Sequence, residues 1–208
     1  MIRRNPVTVF LLVAVGLSLL LLASSAWEFR LPGIDQNYEP VQPIAFSHRL
    51  HAGEMEVACL YCHSGAQRSR NAGIPPMGLC MNCHKTVAAP FVVVRAEAEA
   101  AEKEKRKPRR IVSPEIGKIY AALDLGAPVA WTRVHNLPDF VYFDHRPHAS
   151  AGVACQVCHG PVQSMERVRQ SSTLTMGWCV DCHRQNWTAA APGGKPLHVP
   201  TNCSSCHY

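Results

Sequence analysis

All ten cysteines of this 208-residue chain occur in C-x-x-C pairs, and a histidine follows each pair. The pairs are Cys59/Cys62, Cys80/Cys83, Cys155/Cys158, Cys179/Cys182 and Cys203/Cys206, followed by His63, His84, His159, His183 and His207. Histidine makes up 11 of 208 residues. Five chance matches therefore have a probability on the order of 10⁻⁷, and C-x-x-C-H is the attachment signature of c-type haem. Two thiols on one helical turn can each form a thioether to one porphyrin, and the histidine can bind its iron. The pattern predicts five haem c groups with these histidines as proximal ligands.

Other cysteine chemistries fit the pattern less well. A Cys₂His₂ zinc site separates its two histidines by three to five residues, whereas here each histidine abuts a cysteine. A thioredoxin-like redox motif needs one C-x-x-C in a βαβ pattern. A disulfide framework leaves the five histidines unexplained.

The second face of each iron decides between electron transfer and substrate reduction, because only an open position binds a substrate. Eight further residues are candidate distal ligands: His48, His51, His135, His145, His148, His198, Met77 and Met176. Eight candidates for five positions favour filled sites and electron transfer. The pairs His48/His51 and His145/His148 are the strongest candidates, since each follows an aromatic residue at a similar offset from a haem motif. Met77 and Met176 either pack against a porphyrin or raise a haem's potential as ligands.

An internal repeat organises these residues. Two segments share the order F-x-H-x-x-H, haem motif, M-G-x, haem motif, and the second segment adds a fifth motif near its end. We therefore predict a two-haem module at residues 44–89 and a three-haem module at 131–208. Between them, residues 90–130 form a charged helical insert. Residues 95–110 are rich in helix formers, and Pro108 is expected to end that helix. Ser113 and Pro114 are expected to open a short helix to about Leu123. The insert is a solvated face or, alternatively, a docking surface.

The N-terminal residues predict a membrane anchor. Residues 7–26 contain no charge and follow Arg3 and Arg4, and such a stretch is long enough to cross a bilayer. The positive-inside rule places residues 1–27 as cytoplasmic tip and anchor of a bacterial inner-membrane protein, with the haem domain on the periplasmic side. Residues 28–43 then form a linker. A cleaved signal peptide ending near Ala26 is the alternative.

The expected fold is mostly irregular with short α-helices, packed around five haems as a multihaem cytochrome c, plus one transmembrane helix. Five haems leave little room for a side-chain core. The formal charge of +6 does not indicate a nucleic-acid partner, because the haem propionates offset it.

The F-x-H-x-x-H order before a haem motif resembles the small class III multihaem cytochromes. The resemblance implies that the first histidine of each pair binds the adjacent haem and the second a neighbouring one. Carried over, His48 pairs with His63 and His145 with His159. His51 and His148 would then serve the haems of His84 and His183.

A second resemblance covers most of residues 44–207. It rests on SPEI at residues 113–116, WTRVHNLPD at 131–139, the histidine pair after Phe143, and MGWC at 176–179. Together these are similar to the membrane-anchored pentahaem subunit of alternative complex III. The resemblance implies an electron-transfer subunit, not an enzyme by itself, in a respiratory or photosynthetic quinol:electron-acceptor oxidoreductase. Its implied partners are polytopic quinol-oxidising membrane subunits, an iron–sulfur subunit and a monohaem cytochrome.

Two other functions are weighed against this one. A free-standing, membrane-anchored multihaem quinol dehydrogenase would oxidise quinol beside its own helix, but the chain shows no evident quinol-site acid or base. A multihaem reductase needs an open haem, which the surplus of distal candidates opposes.

Overall fold

The computed structural model describes residues 5–28, 35–186, 194 and 198–207. In this part of the chain the ordered elements are short helices joined by loops, with one isolated bridge between Val141 and His207 and no strand. The α-helices are α1 Pro6–Glu28, α2 Cys59–Cys62, α3 Met77–His84, α4 Phe91–Lys103, α5 Pro114–Asp124, α6 His145–Ser150, α7 Cys155–His159 and α8 Met176–Gln185. Short turns of π or 3-10 helix cover Arg49–Glu54, Ser64–Gln67, Val162–Ser164 and Cys203–Ser205. The expectation of a mostly irregular, helical chain is confirmed.

Helix α1 is the one described helix that is long and apolar enough to cross a membrane, over Pro6–Ser24. Its large apolar side chains are exposed, among them Phe10 and Leu12. At 1.5 Å per residue its 23 residues extend roughly 35 Å, a little more than the hydrocarbon core of a bilayer. The helix therefore has the dimensions of a membrane anchor or of a signal sequence.

The haem motifs coincide with helical turns. Ala58 is extended, and the chain turns into α2 at Cys59, so that the His63 N–H donates to the Cys59 carbonyl at 2.9 Å. The turn brings both cysteines and the histidine together. In the second and fourth motifs the helix begins three residues earlier, at Met77 and Met176.

The insert contains two helices, with boundaries that differ in part from the expected ones. Ser113 caps α5 by accepting from Ile116 N at 3.3 Å, as predicted. Helix α4 begins at Phe91 and ends at Lys103, before Pro108. Lys105 ends it with a left-handed φ of 53°, and Arg106 N donates to the Ala101 carbonyl at 2.9 Å. Beyond this turn, Arg106 Nη1 lies 2.5 Å from Glu97 Oε1, and the hydrogen bond from Arg106 lowers the pKa of Glu97 to about 2.

The predicted linker is fastened to the second module where the structure describes it. Asn37 N donates to the Gln170 carbonyl at 2.7 Å, and Gln170 N donates to the Tyr38 carbonyl at 3.0 Å. Residues 29–34 of the linker lie outside the described residues. From residue 35 this segment is therefore hydrogen-bonded to the second module.

The two modules pack against each other reciprocally. The turn Arg49–Glu54 of the first module contacts Val162–Ser164 of the second, and helix α6 of the second contacts Ser64–Gln67 of the first. Each contact includes one backbone hydrogen bond, from Arg49 N to the Met165 carbonyl at 2.8 Å and from His145 N to the Arg70 carbonyl at 3.1 Å. The histidine-pair segment of each module thus contacts the segment after the first motif of the other, as at a twofold interface.

Few apolar side chains are buried by protein alone. In the described part of the chain the buried hydrophobic residues are Ile44, Ala88, Ala89, Ala101, Ile119 and Met165. Apolar residues between motif cysteines stay partly exposed: Tyr61 is 49 % exposed and Val157 52 %. This core is too small for a domain of this length, since folding must offset the conformational entropy of the whole chain. The fold requires a further apolar component.

We predict that Gly53→Ala weakens the contact between modules. A Cβ at Gly53 would lie 2.2 Å from the Gln163 backbone oxygen, so the backbone must shift. Overpacking of this kind costs about 1–3 kcal/mol, and thermal unfolding of the purified holoprotein measures it. Gly117→Ala in α5 is the matched control, because nothing lies within 4 Å of its Cβ. An equal or higher unfolding temperature for Gly53→Ala would show that the modules do not depend on this contact.

Candidate haem-binding sites

In the first and third motifs the motif histidine faces a second histidine ring that is nearly parallel to it. The ring centroids of His48 and His63 lie 6.4 Å apart with 5° between planes. Those of His145 and His159 lie 6.4 Å apart with 7° between planes. The two modules thus build the same arrangement from equivalent residues.

The second histidine of each pair reaches a different motif. The His51 ring lies 6.1 Å from that of His84, inclined by 61°. The His148 ring lies 6.0 Å from that of His183, inclined by 34°. Each pair therefore serves two motifs, its own and the next one along the chain.

These spacings suit one metal ion between two imidazoles. Two rings that bind opposite faces of one ion through Nε2 have centroids about 6.3 Å apart, given roughly 2 Å for each nitrogen–metal bond. Among the described residues, no group of three or more His, Cys, Asp or Glu is arranged to hold a bare ion. None of the ten cysteines is in a disulfide. The pairs therefore fit a metal that brings its own equatorial ligands, as haem iron does.

Hydrogen bonds orient most of these imidazoles. A backbone carbonyl only accepts, so a ring whose Nδ1 contacts one carries hydrogen there and keeps a lone pair on Nε2 for a metal. Six rings are held in this way: His51 by Ser47 (2.8 Å), His63 by Gly73 (2.7 Å), His84 by Val87 (2.8 Å), His145 by Arg70 (2.8 Å), His148 by Asp144 (2.9 Å) and His183 by Pro200 (2.6 Å).

Burial keeps several of the rings neutral. Burial, with the nearby His63 and His51, lowers the pKa of His48 to about 4. Burial also lowers the pKa of His159, with His145 and His63 adding to the effect. A neutral imidazole is the form that binds a metal.

An aromatic ring places each histidine pair. The Phe46 ring meets the His48 ring edge-on, with centroids 4.8 Å apart, and stacks on the His51 ring, with centroids 4.3 Å apart. Phe143 is placed in the same way: its ring meets His145 edge-on, with centroids 4.8 Å apart, and is tilted against His148, with centroids 4.9 Å apart. The sequence showed that an aromatic residue precedes each pair, but its role as a wedge between the two rings needed the structure.

The remaining distal candidates occupy other positions. Nε2 of His135 lies 3.1 Å from Nδ1 of His159, and the two rings meet at 80°. Burial, with His159 and His145, lowers the pKa of His135 to about 4. Met77 begins α3 and Met176 begins α8, where it is 70 % exposed. His198 lies in the segment before the fifth motif.

Cys83 and Cys182, the second cysteines of the second and fourth motifs, each lie near a cysteine of the preceding motif. Burial raises the pKa of Cys62, and the second-motif thiols of Cys80 and Cys83 add to the effect. Burial likewise raises the pKa of Cys158, and the nearby Cys182 thiol adds to it. Thiols of consecutive motifs therefore lie close together within each module.

Cys83 and Cys182 also differ from each other in exposure and in their contacts. Cys83 is exposed and Cys182 is half-buried. The Cys83 carbonyl accepts from Val87 N at 2.9 Å. The side-chain amide of Asn186 donates to the Cys182 carbonyl at 2.8 Å and lies 3.7 Å from its Sγ. The sequence gave no indication of the amide beside the Cys182 sulfur, and the attachment of a porphyrin to these two thiols stays a prediction.

The fifth motif is joined to the segment before Phe143. The Tyr142 N–H donates to the Cys206 carbonyl at 2.7 Å. The ring of Phe140 lies 5.7 Å from that of His207. The sequence carried no signal for this contact, because the two segments are distant along the chain.

Contacts between motifs extend beyond each pair of consecutive thiols. Asn82 in the second motif donates to the Tyr61 hydroxyl in the first at 2.9 Å. Burial and the adjacent Cys59 thiol raise the pKa of Cys155, which links the first and third motifs. Burial and the Cys206 thiol raise the pKa of Cys179, which links the fourth and fifth motifs.

Comparison with known proteins agrees with this chemistry. Residues 141–208 match the sequence family described as cytochrome c7 and related cytochrome c. Over 162 residues, 68 % of this chain and 67 % of the relative, the protein is 29 % identical to the multihaem cytochrome c subunit of menaquinone reductase from Nitratidesulfovibrio vulgaris. These similarities agree with the expected multihaem cytochrome class and with haem c as its cofactor, and the relative is a multihaem cytochrome c subunit of a reductase.

We predict that His148→Ala opens the second axial position of one haem. The exchange removes the ring that faces His183, and a small ligand binds only at an open axial position. Carbon monoxide added to the reduced variant should then bind one haem, as measured by stoichiometric difference spectra. Ser150→Ala, at the end of the same helix, is the control and should resemble the unaltered protein. Absence of carbon monoxide binding in His148→Ala would exclude His148 as a ligand.

Proposed function

We propose that this cytochrome is an electron-transfer subunit with five covalently bound haem c groups in a membrane quinol:electron-acceptor oxidoreductase of the alternative complex III type. One observation carries the proposal. Four motif histidines each face a second histidine at 6.0–6.4 Å. Two imidazoles on one iron leave no position for a substrate, which favours electron transfer over catalysis.

Specific residues would hold the haems. The motif cysteines would attach the porphyrins, and the motif histidines would bind iron. His48 and His51 would be the second iron ligands at the first and second motifs. His145 and His148 would be the second iron ligands at the third and fourth. For the fifth motif the candidates are Met176, Met77 and His198. When bound, each haem alternates between ferric and ferrous iron and so passes one electron at a time.

The contacts between motifs favour a linear order of second, first, third, fourth and fifth. Shared histidine pairs join the second motif to the first and the third to the fourth. The reciprocal contact of the modules joins the first to the third: the Arg70 carbonyl, which follows the first motif, accepts from both N and Nδ1 of His145. His183 Nδ1 donates to the Pro200 carbonyl, just before the fifth motif. Electrons would enter and leave at the second and fifth motifs.

Helix α1 is proposed to stay attached as a membrane anchor. Its exposed apolar side chains suit lipid, and Arg3 and Arg4 precede it in sequence. The positive-inside rule then puts residues 35–207 on the periplasmic side of the inner membrane. The haem motifs would face a periplasmic carrier or a terminal oxidase.

The quinol chemistry is assigned to partner subunits. One membrane helix cannot wall a quinol site, since small-molecule sites are concave and enclose most of their ligand. We propose polytopic quinol-oxidising subunits, an iron–sulfur subunit and a monohaem cytochrome as partners. The resemblance at residues 113–116, 131–139 and 176–179 supports this set.

The relative's name favours a second candidate, in which electrons run the other way. It is a subunit of menaquinone reductase. By analogy, this cytochrome would carry electrons from a periplasmic donor towards quinone. The ligand arrangement serves both directions equally, because a haem closed on both faces accepts and donates through its edge.

One preparation tests the proposed function. The cytochrome is purified from native membranes with and without its partners, and its mass is measured under denaturing conditions. We expect five haem additions, no free thiol and an intact α1. Four or fewer haems in mature protein would reject the count.

Quinol assays of the same two samples then test the role. We expect reduction of the haems by quinol only when the partners are present. Rapid reduction of the isolated chain would favour the free-standing quinol dehydrogenase. Reduction of quinone by the complex, without oxidation of quinol, would favour the second candidate.

A further inference from the structure

One motif histidine is held differently from its equivalents. Six of the site imidazoles donate from Nδ1 to a backbone carbonyl, whereas Nδ1 of His159 lies 3.1 Å from Nε2 of His135. The residue equivalent to His159 in the first module is His63, and its Nδ1 contacts the Gly73 carbonyl at 2.7 Å. The first and third motifs thus match in their facing rings but differ in this hydrogen bond.

The direction of the hydrogen bond follows from the role of His159. If its Nε2 binds iron, its hydrogen must be on Nδ1, and Nε2 of His135 is the acceptor. The two rings meet edge to face at 80°, with centroids 4.4 Å apart. The hydrogen on His159 therefore faces a nitrogen lone pair instead of a carbonyl oxygen.

Neighbouring residues fix the position of His135. Asn136 N donates to Gln170 Oε1 at 3.0 Å, and Asn136 Nδ2 donates to Asp35 Oδ2 at 2.9 Å. Gln170 is fully buried and Asp35 is 3 % exposed. Arg133 Nε also donates to the His135 carbonyl at 2.9 Å. The loop is thus clamped on both sides of the ring.

The hydrogen bond to His135 should shift the reduction potential of the haem in one direction. An imidazole nitrogen is more basic than a peptide oxygen, so it draws the Nδ1 hydrogen further from His159. A ligand that donates its hydrogen to an outer partner becomes more basic. A more basic ligand stabilises ferric iron relative to ferrous iron and lowers the reduction potential.

We propose that His135 is a positioning residue that orients His159 and lowers the reduction potential of the third-motif haem below that of the first-motif haem. The proposal rests on the proposed function, since it requires haem at both motifs. In this proposal His135 accepts a hydrogen bond from the proximal ligand His159, whereas the ligand count had made it a candidate distal ligand. It also makes two otherwise equivalent central haems electronically different.

The test uses the full-length cytochrome in its native complex. His135→Phe removes the acceptor but keeps a ring of similar shape, and His135→Gln keeps an acceptor in the form of an amide oxygen. Thr132→Val is the matched control in the same loop, because its described hydrogen bonds use only the backbone. Each form is titrated by optical potentiometry, and its haem content is measured by mass.

We expect one titration component to shift upward in His135→Phe, and to shift upward by less in His135→Gln. The other components and the Thr132→Val titration should stay in place. An unchanged titration in a fully loaded His135→Phe protein would overturn the proposal. So would a new haem that binds carbon monoxide, because it would make His135 a distal ligand. If His135→Phe fails to load, His135→Gln decides by the same criterion. The haem count of the unaltered protein tests the proposed function separately.

Discussion

The arrangement depends on the spacing of two histidines on one helical turn. Residues three apart on a helix lie on the same face but one turn apart. Their rings therefore point to two different places: His48 faces His63 while His51 faces His84. One helical turn, whose two histidine rings pack on Phe46, therefore fixes two motifs relative to each other. The second module has the same arrangement around Phe143, and the reciprocal contact of the modules brings the two histidine pairs together.

This constraint explains why so little of the protein packs on itself. The buried side chains of the described residues are few and mostly small. Apolar residues beside the motif cysteines are about half exposed to solvent, as Tyr61 and Val157 are. In our account the porphyrins complete the core, and their thioether bonds hold them to the chain. Folding and cofactor attachment are then one process, as in other small domains stabilised by a bound group.

Much of the site could be predicted from sequence, because the haem motif and the paired histidines are local patterns. The pairing of His48 with His63 needed a family resemblance, and that assignment remains a prediction with a matching ring geometry. The hydrogen bond of His135 could not be predicted, since it joins residues 24 positions apart. The early end of α4 was also missed, because Lys105 turns the chain with a left-handed φ of 53° and Arg106 then folds back onto Glu97. A helix-former count does not contain that contact.

Electron paramagnetic resonance of the fully oxidised cytochrome tests the central claim most directly. The angle between two axial imidazoles sets the shape of a low-spin ferric signal. The rings at the first and third motifs are inclined by 5° and 7°, and those at the second motif by 61°. We expect rhombic low-spin signals from the near-parallel sites and a large-g low-spin signal from the inclined one. At most the fifth haem is high spin. A high-spin ferric signal from two or more haems of the native protein would contradict the shared histidine pairs.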